Sequence, residues 1–342
     1  MKPLAAIVLA AGKGTRMKSE RAKVTFPIAD KAMVQRVVET ALALNCEKIS
    51  VVVGWKKETV IGALEEDERL EFVEQTEQLG TGHAVQMAAE GFTNFSGDVL
   101  ILCGDVPLLS AETVRKLHEK HVQTDAAVTI LTAVLDDAGK YGRMLRDAQG
   151  MLCGIVEYKD ATPAQRDIKE FNTGIYCYKS DKLFTALGKI TNQNEQHEYY
   201  LTDTLEILYK AGELVENVIL EDLMEVSGVN SQEQLAFLED VYMDKVRKKW
   251  LNSGVMMHNP ATIHIGDDVI IEPDVEIGQG CVLKGKTTVE SGVVLGPNCY
   301  IENSIISNDC ILPGHNIIID SFIKEHELLD FGFRVIEEED YE

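Results

Sequence analysis

Apolar and polar positions follow one rhythm over the first two thirds of this chain and a different one over the rest. Leu4 to Ala11 is a continuous apolar run closed by a glycine-rich turn, Lys48 to Gly54 is a second run, rich in valine, and Val99 to Cys103 is a third. Runs of this kind suit strands buried on both faces. Met33 to Leu44, Gly82 to Glu90 and Ala111 to Val122 instead carry apolar residues at helical spacing. The alternation predicts an α/β domain with a βα-layered sheet over residues 1–230. Ser231-Gln232-Glu233-Gln234 then shows a capping-box pattern. Leu235, Leu238, Val241, Val246 and Trp250 continue at helical spacing into a cationic stretch that stops at Gly254. This predicts a linker helix over 231–253.

Beyond Gly254 the period becomes six. Ile263, Val269, Val275, Cys281, Thr287, Val293, Cys299, Ile305, Ile311, Ile317 and Ile323 are apolar in all but one place, and a second register, Ile265, Ile271, Ile277, Leu283, Val289, Leu295 and Ile301, runs beside them. Six residues per step is the signature of a hexapeptide β-helix, in which each hexad supplies one short strand of a triangular coil. The pattern predicts three to four coils over 254–330, followed by an acidic tail at 331–342.

Charge narrows the chemistry. A formal net charge of −23 repels polyanions, so nucleic acid is not an expected partner; a compact anionic substrate needs a local cationic cluster. Seven scattered cysteines without a Cys-x-x-Cys pair read as free thiols. The N-terminal apolar run is too short to span a membrane, so a cytoplasmic location with no membrane association is expected.

The first turn, Leu9-Ala10-Ala11-Gly12-Lys13-Gly14-Thr15-Arg16-Met17, lacks the third glycine of a dinucleotide fingerprint and the Gly-Lys-Ser/Thr of a Walker loop. What remains is small residues that let backbone N–H groups approach phosphates, with Lys13, Arg16 and Lys23 as the cationic cluster. Gly104-Asp105-Val106-Pro107 puts a carboxylate at the end of a predicted strand, where open α/β sheets bind ligands; alone, Asp105 could equally cap a helix. His118 and His121 lie three apart on a predicted helix with no third ligand in view, which reads as a solvated face rather than a metal site. No Gly-x-Ser-x-Gly elbow or paired nucleophile and base is present.

Several segments read in order carry a resemblance. They are Leu9 to Met17, Lys23-Val24, Lys31 to Gln35, Gln78 to Ala84, Gly104 to Leu108 and Tyr141-Gly142-Arg143, followed by Val156-Glu157, Lys159 to Ala161, Asn172-Thr173-Gly174, Glu198 to Asp203 and Gly228-Val229-Asn230. Together they resemble the bifunctional N-acetylglucosamine-1-phosphate uridyltransferase/glucosamine-1-phosphate acetyltransferase family. The resemblance implies a Rossmann-like nucleotidyltransferase with a mixed sheet flanked by helices, followed by a short left-handed parallel β-helix. It implies nucleotide contacts at Leu9, Ala10, Ala11, Gly12 and Lys23, with Gln75, Gly80 and Thr81 reading uracil. Gly142, Glu157, Asn172 and Asn230 are the implied sugar contacts, Asp105 and Asn230 the implied Mg²⁺ ligands, and Arg16, Lys23 and Asp105 the implied catalytic groups; His83 is read as structural. The implied substrates are UTP and N-acetylglucosamine 1-phosphate, and the implied assembly is a homotrimer through the β-helix.

The chain departs from the family at Ala22 (usually proline), Asp30 (usually glycine), Thr25-Phe26 (usually leucine-histidine) and Cys103 (often aromatic), which predicts altered rates rather than lost chemistry. Its β-helix is short, so acetyl transfer is expected to be absent. The alternatives are another sugar 1-phosphate as substrate, a non-catalytic nucleotide-sugar-binding regulator, or an acyltransferase using the β-helix alone.

Overall fold

The computed structural model describes residues 2–336 and divides into two compact units. The first comprises Met1–Phe26 and Ala32–Gln234, the second Pro27–Lys31 and Leu235–Glu342.

The first unit is built on a mixed sheet. Its main strands run, in spatial order, Val215–Ile219, Val128–Val134, Glu170–Lys179, Asp98–Cys103, Leu4–Leu9, Lys48–Val53 and Leu70–Glu74. Glu170–Lys179 is antiparallel to both neighbours, whereas the strands on either side of Leu4–Leu9 are parallel to it. An Arg143–Arg146/Leu152–Val156 hairpin attaches to Glu170–Lys179. The continuous apolar runs are explained by burial on both faces. Ala5, Ile7, Val99 and Ile101 enter one core with Tyr176 and Tyr178, while Ala6, Val8, Leu100 and Leu102 enter the other with Val34 and Val37. At roughly 1.5–3 kcal/mol for each fully buried large aliphatic side chain, this two-sided burial outweighs helix-cap terms of about 1 kcal/mol.

The chain leaves Leu4–Leu9 for Lys48–Val53 on one side and returns to Asp98–Cys103 on the other. The carboxyl ends of these strands therefore form a topological switch point, where a crevice opens for ligands. The helices frame the same edge. Thr81–Met87 follows the Leu70–Glu74 strand, and Ala111–Thr124 is capped by Ser110, whose hydroxyl accepts from Thr113 N–H at 3.1 Å. Asp105 is thus not a helix cap.

The long helix spans Gln232–Asn252. Ser231 Oγ accepts from Gln234 N–H at 3.2 Å, but the Gln234 side chain accepts from Asn230 N–H at 2.8 Å, so the expected reciprocal box closes one residue earlier. In the second unit three parallel sheets of short strands stack as a left-handed β-helix. Ile265, Leu283, Ile301 and Ile318 superpose along one inner edge, all fully buried.

The sequence register needs one correction. From Ile263 to Ile301 the inward positions follow the period of six, but the turn at Asn303 is one residue short. Thereafter Ser304, Ile306, Cys310, Leu312, Asn316 and Ile318 point inward, while Ile305 and Ile311 are exposed. Of the predicted tail, Arg334–Ile336 forms a strand parallel to Ile317–Ile319, and residues 337–342 lie outside the described residues. The Asp30 departure has a partner: its carboxylate accepts from His264 Nε2 at 3.2 Å and lies 3.6 Å from Lys284 Nζ. Burial opposes its ionisation, but the hydrogen bond from His264 and the Lys284 charge outweigh that and hold its pKa below the usual value.

Candidate active site

Backbone contacts lace the switch-point strands together. Ala10 N–H donates to Val52 O at 2.9 Å and Gly104 N–H to Leu9 O at 3.0 Å. A Cβ on Gly54 would stand 3.0 Å from Ala11 O and 3.1 Å from Gln75 O, so a side chain there would press these segments apart by a few tenths of an ångström. A cleft of about 390 Å³ opens above them. Of the residues named from sequence, Leu9, Ala11, Gly12, Lys23, Gln75, Gly80, Thr81 and Asp105 line it, joined by Gln78, Cys103 and Glu198. Ala10 is buried beneath, not in the lining.

The uracil-reading candidates form one loop. Gln75 is buried, and its Nε2 is 3.1 Å from both Gly80 O and His83 Nδ1. Gly80 takes a φ of 110°, and a Cβ there would lie 2.6 Å from Tyr199 O. Gly82 N–H donates to Tyr199 O at 2.8 Å, and Tyr199 N–H to Leu79 O at 2.7 Å, which straps this loop to the 198–201 segment. Gln78 Nε2 donates to Ala11 O at 2.8 Å and ties the loop to the glycine turn.

Charges converge at Asp105. Lys23 Nζ is 2.5 Å from Asp105 Oδ2 and 3.3 Å from Asn230 Oδ1, and Arg16 Nη2 donates to that same Asn230 oxygen at 2.7 Å. Val229 N–H donates to Asp105 O at 3.0 Å, so the segments carrying Asp105 and Asn230 are joined through backbone as well. The sequence expectation of a three-cation cluster is corrected here: Lys13 lies over the Trp55 ring at 4.5 Å, leaving Arg16 and Lys23 at the junction. An Mg²⁺ ion is implied by the family resemblance, and the donor set fits one. Two hard oxygens from distant segments already converge on a cation, the Lys23 ammonium.

Three of the four sugar candidates are also brought together, whereas Asn230 stands at the Lys23 and Arg16 junction. Asn172 N–H donates to Gly142 O at 2.9 Å, and a Cβ on Gly142 would stand 3.4 Å from Glu157 Oε2. A bulge between Asn172 and Tyr176, with Gly174 at φ 83°, lets the Asn172 carboxamide turn back and accept from Gly174 N–H at 3.0 Å. Burial raises the Glu157 pKa, and the charges of Asp160, Asp203 and Glu198 add to this, against a hydrogen bond from Thr202 at 3.2 Å. Arg143, 2% exposed, donates to the carbonyls of Ala138, Gly139, Tyr141 and Arg166 and fixes the loop that presents Gly142. Cys103 donates to Gly174 O at 3.4 Å; burial, then the Asp105 charge, push its thiol up to about 12, so it packs as a neutral group between the two halves of the site.

Gln78, Glu198 and Arg143 were not singled out as site residues from sequence, although all three lie inside or beside the quoted segments. The solvated-face reading of His118 and His121 is corrected. His121 is 1% exposed, His118 Nε2 donates to Asp98 Oδ2 at 3.0 Å, and His121 Nε2 approaches Asp98 Oδ1 at 3.5 Å. Asp98 begins the strand whose other end leads to Asp105, so this cluster lies at the end of the sheet away from the cleft. Among the described residues no group of three or more histidine, cysteine or acidic side chains is arranged to hold a metal ion. No described helix is long and apolar enough to cross a membrane.

A nucleotidyl transferase family model matches residues 5–255. The bifunctional protein GlmU of Picosynechococcus sp. is 42% identical over 324 residues, covering 94% of this chain and 71% of that protein. GlmU of Geobacillus sp. is 42% identical over 318 residues, covering 93% and 69%. GlmU of Syntrophotalea carbinolica is 45% identical over 309 residues, covering 90% and 65%.

Proposed function

Because the chain belongs to the family of bifunctional GlmU proteins and is a nucleotidyltransferase, we propose that it joins UTP to N-acetylglucosamine 1-phosphate, forming UDP-N-acetylglucosamine and pyrophosphate. The observation that carries this reading is the junction of Lys23, Arg16, Asp105 and Asn230 on a cleft at the switch point. An oxygen of the sugar phosphate attacks the α-phosphorus of UTP. The bond from that phosphorus to the bridging oxygen breaks, and its electron pair leaves with pyrophosphate. No enzyme nucleophile is needed; the protein contributes positioning and charge neutralisation.

In this reading Leu9 to Gly12 lie against the nucleotide, and Gln75, Gly80 and Thr81 face the base. Lys23 and Arg16 offset charge on the transferred and departing phosphates. Gly142, Asn172 and Glu157 hold the hexosamine, where a carboxylate accepts from hydroxyls and an amide both donates and accepts. Asp105 and Asn230 would hold Mg²⁺, which when bound neutralises phosphate charge and leaves most of its coordination to water and substrate. Purified protein with UTP, N-acetylglucosamine 1-phosphate and Mg²⁺ is expected to release pyrophosphate. A panel of other sugar 1-phosphates is expected to release less, and no release with any of them across pH and metal concentration would overturn the reading.

We further propose a homotrimer, a cytoplasmic location and no acetyl transfer. Acetyl-CoA with glucosamine 1-phosphate is expected to give no free CoA.

A further inference from the structure

Resting on the uridyltransferase reading, we infer that His83 is a positioning residue for base selection, because it accepts from the Gln75 amide and leaves that side chain only an acceptor to offer the base. A glutamine amide has two N–H donors and one carbonyl oxygen. One donor of Gln75 is directed at Gly80 O and the other at His83 Nδ1, each at 3.1 Å. With both hydrogens committed, Oε1 is the atom left for a ligand in the cleft that Gln75 lines.

An acceptor at that point selects a base whose ring nitrogen carries a hydrogen. Uracil presents N3–H; cytosine presents a bare N3, whose lone pair would face the Oε1 lone pairs. Rotating the amide by half a turn would accommodate cytosine, but it would set Oε1 against Gly80 O and would break the bond to His83 Nδ1 unless the ring proton moved from Nε2 to Nδ1. Gly80 O supplies a fixed restraint, and His83 supplies a second one as long as its ring proton sits on Nε2. Unmade or opposed hydrogen bonds in a buried site are the strongest source of discrimination between close analogues.

The imidazole is itself held in place. His83 lies in the first turn of the Thr81–Met87 helix, whose start is fixed by the Gly82 N–H to Tyr199 O bond, and its ring sits 6.5 Å from that of Tyr199. Accepting from Gln75 requires Nδ1 to be bare, which places the ring proton on Nε2. The same helix turn that reads as structural in the sequence therefore sets the polarity of the neighbouring amide.

The test compares binding of UTP and CTP to the full chain by calorimetry, which does not depend on turnover. The parent is expected to prefer UTP. His83→Leu and His83→Phe, which lack the acceptor, are expected to lower the UTP/CTP affinity ratio by roughly tenfold or more. His83→Asn, whose Oδ1 can stand where Nδ1 stood, is expected to keep it. An unchanged ratio in the Leu and Phe variants, or an equal loss in the Asn variant, overturns the inference. The nitrogen-15 spectrum of the parent gives an independent reading: His83 Nδ1 is expected to resonate as an unprotonated ring nitrogen, and a proton on Nδ1 overturns the inference even where a variant does not fold. A protein that discriminates UTP from CTP through His83 yet releases no pyrophosphate would count against the proposed reaction and not against this role.

Discussion

Removing one negative charge at Asp105 while keeping its shape separates chemistry from folding. Asp105→Asn leaves the Ser110 cap of the following helix untouched and leaves the backbone bond from Val229 in place. It withdraws the charge that Lys23 meets at 2.5 Å. Pyrophosphate release is expected to fall roughly 10²-fold or more, with a steeper Mg²⁺ requirement, while unfolding stability moves by no more than about 1 kcal/mol. A variant matching the parent in rate and metal dependence would remove Asp105 from the mechanism. At this scale the candidate site was legible where motifs were contiguous: Gln75, Gly80, Thr81, Asp105 and Asn230 all fall within or beside quoted segments. Asp98 was not legible as a partner of His118 and His121, because helical spacing says nothing about a strand residue twenty positions earlier. The bond from Gln75 to His83 was hidden for the same reason, since it crosses a glycine turn and not a regular element.

Among the elements, the β-helix best separates what a sequence period conveys from what it hides. The period of six predicted the stacked coils, but the slip at Asn303 was invisible because both phases remain apolar afterwards. Ile305-Ile306, Ile311-Leu312 and Ile317-Ile318 each offer a hydrophobe to either phase. The corner position records the true register through Thr287, Ser304 and Ser321, all buried. Thr287 Oγ1 donates to Lys284 O at 2.6 Å and accepts from Ser304 N–H at 3.4 Å; Ser304 Oγ in turn accepts from Ser321 N–H at 3.0 Å. Thr287→Val keeps the volume but leaves the Ser304 N–H without its acceptor, while Lys284 O keeps the Asn303 N–H at 3.3 Å, at an expected cost of about 1–3 kcal/mol. Thr287→Ser keeps the hydroxyl and is expected to cost about 0.8 kcal/mol for the lost methyl. Urea unfolding followed on the second unit checks the order; a valine variant as stable as the serine one would show that the ladder adds nothing.

For the molecule as a whole, acid stability follows from carboxylates held below their ordinary range. Burial opposes ionisation of Asp98, but the two imidazoles facing it outweigh that and lower its pKa well below 3.8. Asp30 is lowered by His264 and Lys284, and Asp67 to about 2 by Arg69. A lowered folded-state pKa contributes stability that is present above the unfolded value and lost as pH falls below it. Asp203, pushed up to about 6 by burial and then by Glu206 and Asp160, acts in the opposite sense: its contribution fades between 3.8 and about 6 as pH rises. Stability is therefore expected to drop steeply below about pH 4. Asp98→Asn is expected to lower stability at pH 7 and to flatten that acid limb in denaturant titrations at successive pH values; an unchanged slope would exclude Asp98 as a contributor.

Because residues 27–31 belong to the second unit, that unit cannot be exchanged by a single cut in the chain. Ala29 N–H donates to Glu239 Oε1 at 3.1 Å and Asp30 meets His264, so five residues from near the start of the chain are packed among partners more than two hundred positions later. A chimera cut once, at the long helix, would inherit a foreign Pro27–Lys31 segment. Exchange of the β-helix between relatives has to be a two-site graft that carries this pentapeptide with it, and a natural crossover at the helix alone would be selected against unless the donor and recipient matched at Asp30.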